Sequence, residues 1–125
     1  MMKRCSLLLG VSLLAASAAG ASDRPPIGCR PGALDKKQRA RHGVLLDTLK
    51  HEVEATRELD DGIALRLPAD PALFQKVAEW VTLERRCCPF LDFALEWTYD
   101  DKVWVRLTGD GDVKEFLAAE VLGTR

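Results

Sequence analysis

Two cysteines stand side by side in Glu84-Arg85-Arg86-Cys87-Cys88-Pro89-Phe90, and a third, Cys29, lies far upstream among prolines and glycines. Thiolates are nucleophiles, redox centres and ligands for soft ions, so three kinds of chemistry are open to this set. Glu84 places a carboxylate one helical turn before Cys88, where it can take or return that thiol's proton or ligate what the sulfurs ligate. The plainer reading of Glu84 is an ion pair at the rim of the core with Arg85. His42 can supply a fourth ligand. Cys-Cys without intervening residues is not a zinc-ribbon spacing.

These residues need elements to position them. On a wheel of 100° per residue, residues 71–88 put Leu73, Phe74, Val77, Trp80 and Val81 on one face and Gln75, Lys76, Glu79, Thr82 and Arg86 opposite. Glu84 falls inside the apolar arc, and Cys87 at its edge beside Trp80. Asp70 and Pro71 supply the start of this helix, and Pro89 ends it. A helix C-terminus raises thiol pKa values unless cations offset it, a role open to Arg85 and Arg86.

Upstream, Asp35 and Gln38 have capping-box spacing and begin a helix to about Glu52, with Val44, Leu45 and Leu49 on one side. Val53 to Leu59 and Ile63 to Leu67 alternate about the turn Asp60-Asp61-Gly62, and Leu91 to Tyr99 and Val103 to Leu107 about Asp100-Asp101. Trp104 is out of phase with Val103 and Val105 and belongs on the other side of the sheet or at its edge. A last helix follows, with Asp112 and Glu115 in capping-box spacing and Gly123 at its end. The order is one helix, then strand-strand-helix twice, which admits a cryptic duplication. The expected fold is α+β: a four-stranded, mainly antiparallel sheet with helices on one face and the apolar sets of both hairpins turned toward them.

Residues 1–21 read as a secretory signal, with Met1-Met2-Lys3-Arg4, an apolar run Leu7 to Leu14 and Ala19-Gly20-Ala21. The run is too short for a permanent membrane span. The expected location is periplasmic or secreted, with residues 22–32 an extended arm and 33–125 one α+β domain. Removing Lys3 and Arg4 leaves 16 basic against 19 acidic residues, a net charge near −3. With no basic excess or stripe, a nucleic-acid partner is not expected. Cys5 leaves with the signal, and three cysteines cannot all pair within one chain.

The junction resembles a group of short bacterial proteins of unassigned function that share Glu-Arg-x-Cys-Cys-Pro-Phe-x-x-Phe, then a Trp- or Leu-containing strand and Thr-Gly. The matching residues are Glu84, Arg85, Cys87, Cys88, Pro89, Phe90, Phe93, Trp104, Leu107, Thr108 and Gly109, with Cys29 similar to an isolated upstream cysteine and Gly62 to a hairpin turn. The likeness spans roughly residues 27–122. A Cys-Cys-x-Phe element at the end of some mercury-type metal regulators is also similar. The resemblance transfers no catalytic residue.

Three functions remain open. In the first, Cys29, Cys87, Cys88 and Glu84 hold a soft metal or metalloid ion. In the second, Cys29 is bridged to Cys87 or Cys88, closing a loop of about 58 residues for roughly 4 kcal/mol in a structural or interaction domain. In the third, an activated cysteine does redox or carbon–metal bond chemistry.

Overall fold

A computed structural model describes residues 23–121. The expected signal segment and Gly123 lie outside the described residues. A 3-10 turn at Pro31–Ala33 leads to α1 (Lys36–Glu52), β1 (Ala55–Leu59), β2 (Gly62–Leu67), α2 (Pro71–Cys87), β3 (Asp92–Trp97), β4 (Val103–Thr108) and α3 (Val113–Glu120). The fold is α+β with a four-stranded sheet in the order β1-β2-β4-β3, every neighbouring pair antiparallel. That order maps onto itself when the two hairpins are exchanged, so the strand-strand-helix repeat is a repeat in space as well.

The caps explain where two helices start. Asp35 Oδ1 accepts from the Gln38 N–H at 2.8 Å and Gln38 Oε1 accepts from the Asp35 N–H at 3.1 Å, closing the capping box of α1. For α2, Asp70 Oδ1 accepts from the Ala72 N–H at 2.9 Å with Pro71 at the first helical position. At α3 the expected box is absent: Asp112 makes no side-chain cap bond.

The core lies between the helices and one face of the sheet. Ile63, Leu65 and Leu67 of β2 pair with Leu107, Val105 and Val103 of β4, and all six are buried. Against them sit Leu73, Val77 and Trp80 of α2, Leu45 and Leu49 of α1, and Val113 and Leu117 of α3. Val44, expected on the buried side of α1, is 58% exposed. Trp104 lies on the outer face as expected, with the Arg57 guanidinium 4.5 Å from its ring centre.

The first hairpin departs from expectation at β1. Ala55, Arg57 and Leu59 stand opposite Arg66, Ala64 and Gly62, on the outer face, while Thr56 and Glu58 stand opposite Leu65 and Ile63 on the helix side. The two-residue turn Asp60-Asp61 fixes this parity, because a one-residue change of register exchanges the faces of a strand. Lys114 of α3 then pairs with Glu58 at 3.2 Å. Gly62 is required where it is: a Cβ there would lie 1.9 Å from the Leu107 carbonyl oxygen of β4.

Candidate functional site

The buried stripe of α2 runs Leu73, Val77, Trp80, Glu84, Cys87, an alternation of four and three residues that faces one neighbour throughout. Glu84 therefore occupies a core position, and it is 8% exposed. Burying a carboxylate is costly without partners, and Glu84 has two. Its Oε1 accepts from the Cys88 thiol at 3.2 Å, and its Oε2 is hydrogen-bonded to His42 Nε2. Sequence adjacency suggested Arg85 as the partner. Arg85 instead points a third of a turn away, into an exposed groove with Pro89 and Phe93.

Two contacts set His42 against Glu84. Arg41, one residue earlier on α1, makes a bidentate pair with Glu79 of α2 at 2.9 and 2.8 Å, which fixes the rotation of one helix on the other. The Arg39 guanidinium donates to the Leu34 carbonyl at 2.8 Å, holding the start of α1 to the preceding turn.

Cys29 arrives from the other side, on the N-terminal arm. The arm is tied along its length: Arg24 reaches Asp92 at 2.6 Å and Asp110 at 3.2 Å, the Arg30 N–H donates to the Cys87 carbonyl at 2.8 Å, and Arg86 donates to the Ala33 carbonyl at 2.8 Å. The Cys29 Sγ lies 3.8 Å from the Cys88 Sγ. Pro89 ends α2 so that Cys88 caps it, its N–H donating to the Glu84 carbonyl at 2.7 Å, and this turn aims the Cys88 sulfur inward. His42, Glu84, Cys88 and Cys29 thus form one continuous chain of contacts. Cys87 is buried beside it and shares the wall of the adjoining cavity with Cys29, Glu84 and His42.

Cys29, Cys87 and Cys88 are all thiols in this structure. Burial and then the Glu84 carboxylate push Cys88 far above the usual thiol range. Burial also raises Cys29, against a lowering by its contact with Cys88. Cys87 is raised by burial first and by Glu84 second, with Arg86 pulling the other way. The arrangement is therefore a protonated dithiol with a proton acceptor already in contact with its buried member.

Of the expected site residues, Cys29, Cys88 and Glu84 meet directly and Cys87 adjoins them. Phe90 and Phe93 serve packing: Phe90 is buried edge-on to Phe116 with ring centres 5.0 Å apart, and Phe93 stands edge-on to Trp80 at 6.0 Å. Among the described residues, no group of three or more His, Cys, Asp or Glu side chains is placed to hold an ion together. The preformed unit is the pair of sulfurs. No helix among the described residues is long and apolar enough to cross a membrane. No protein-family model matches the chain, and no curated protein or solved structure matches it. The functional reading thus rests on the geometry of the site.

Proposed function

We propose that the protein binds a soft metal or metalloid ion through the sulfurs of Cys29 and Cys88. The observation that carries this reading is their 3.8 Å separation with the Glu84 carboxylate 3.2 Å from the buried sulfur. An ion about 2.3 Å from each of two thiolates at a tetrahedral angle spaces them by about 3.8 Å. The sulfurs need little movement to accept it.

Binding requires thiolates, so protons must leave. Glu84 Oε1 takes the proton of Cys88, while His42, hydrogen-bonded to Oε2, holds the carboxylate in place. Glu84 serves here as base, and Cys87 lines the adjoining cavity. A structural staple would need neither a buried carboxylate against its sulfur nor an imidazole on that carboxylate.

A second reading is favoured by the same pair: two convergent sulfurs from residues 59 apart are also the beginnings of a bridge. An external disulfide would oxidise them, its own sulfurs taking up the two electrons and two protons. The arm, already docked, would then be covalently fixed.

Titrating the reduced chain with Cd(II), followed by thiolate-to-metal charge-transfer absorption, separates these readings. One equivalent should bind, with Cys29→Ser and Cys88→Ser abolishing the band and Cys87→Ser retaining it. Absence of the band in fully reduced protein would leave only the disulfide.

A further inference from the structure

The cavity beside the sulfurs is larger than an ion needs. It measures about 290 Å³ and opens to solvent on one side. A closed apolar cavity of about 150 Å³ is enough to hold benzene. Its walls are mostly apolar, formed by Leu34 just past the 3-10 turn, Leu46 from α1 and Val121 just past α3. Cys29, Cys87 and Glu84 lie in the same wall, with His42 beside them and Arg39 and Glu120 completing the lining. Three separate segments of the chain thus converge to build an apolar space directly against Cys29, whose sulfur lies 3.8 Å from that of Cys88. A hydrated ion gains nothing from such walls, whereas an apolar group attached to the bound element is removed from water by them.

We propose, on the basis of the dithiol reading above, that the ligand is an organo-substituted soft element, whose apolar group occupies this cavity while Cys29 and Cys88 hold the element itself. A trivalent monoorganoarsenic oxide illustrates the chemistry. Two As–S bonds form, the arsenic–oxygen bonding breaks, and the oxygen leaves as water with the two thiol protons. The oxidation state of every atom is unchanged, and no co-reactant is needed. Leu46 sets the size of the organic group that fits, being half-buried and facing the cavity from a helix that is otherwise pinned by Arg41 and Glu79.

The test compares methylarsine oxide with phenylarsine oxide on the reduced full chain, by intact mass, in competition with dithiothreitol. Each reagent makes the same two As–S bonds, and referencing to a small dithiol cancels its intrinsic preference. The phenyl reagent should be favoured over the methyl one by about tenfold or more, from the added apolar area removed from water. Leu46→Trp should bring that ratio close to one while both reagents still bind and its far-UV circular dichroism matches that of the native chain. Leu46→Ala should keep the preference. A ratio near one in the native chain, or one that Leu46→Trp does not change, would overturn the cavity's role and leave the dithiol reading standing. Failure of the reduced chain to bind either reagent would overturn both.

Discussion

The two strand-strand-helix halves occupy equivalent places in the sheet, and their helices differ in what they bury. In the second half α3 buries Val113 and Leu117 with Val121 just beyond its end, an apolar stripe and nothing more. In the first half α2 begins the same way with Leu73, Val77 and Trp80, then turns to Glu84, Cys87 and Cys88 over its last turn. The fold is satisfied by the simpler arrangement, so packing does not demand the carboxylate and thiols. They also sit where the repeat is broken, because the arm carrying Cys29 and the helix carrying His42 have no counterpart in the second half. The comparison teaches that the chemistry is added to the scaffold at the one helix end that extra chain can reach.

Breaking the apolar half should have the largest effect on stability. Leu117→Ala removes a fully buried side chain and should cost about 2–5 kcal/mol in denaturant unfolding. Reduced Cys29→Ser, at an exposed residue, should change stability by no more than about 0.5 kcal/mol. If the two costs were similar, the arm would be part of the scaffold and the contrast would fail.

A second contrast is in alkali. Folded Cys88 keeps its proton above the pH at which the unfolded chain releases it, so the folded state binds more protons there and stability falls as pH rises beyond about 8.5. Cys29 and Cys87 are shifted in the same direction. Chemical denaturation of reduced protein across that range should show the fall, and Cys88→Ser should flatten it. The same logic applies to Glu84→Gln, which removes one of the causes that raise Cys88 and should make the alkaline fall shallower.

The smallest effects compare the helix starts. Asp70→Ala loses a formed cap bond and should cost about 1 kcal/mol. Asp112→Ala loses none and should stay within about 0.5 kcal/mol by thermal melting.

Much of this was readable in the chain because the signals were local. The Asp35-Gln38 box, the Asp70-Pro71 start, the Pro89 stop and both turns each specify backbone within a few residues, and together they give the order of elements. The phase of β1 was not readable from alternation, since Arg57 runs in step with Ala55 and Leu59 and the two-residue turn alone decides which set faces the helices. The aspartate at 112 has the spacing of a cap and the wrong backbone for one, with φ −84° and ψ 30°. At the site, Glu84 stood out as a carboxylate on an apolar arc, while its partner did not. Arg85 is nearer in sequence but 100° around the helix, and the rotation that brings His42 to Glu84 is set by the Arg41–Glu79 contact between helices. Likewise the 3.8 Å approach of Cys29 to Cys88 depends on tertiary bonds made by Arg24, Arg30 and Arg86 along the arm.

The most direct measurement of the central claim is to oxidise the fully reduced protein gently and map the bridge by non-reducing peptide mass spectrometry, with the remaining thiol alkylated. A working pair of Cys29 and Cys88 predicts one bridge between those two residues and an alkylated Cys87. A bridge from Cys29 to Cys87, or between the adjacent cysteines, would contradict the account, because the sulfur beside Glu84 would then not be the one that Cys29 meets.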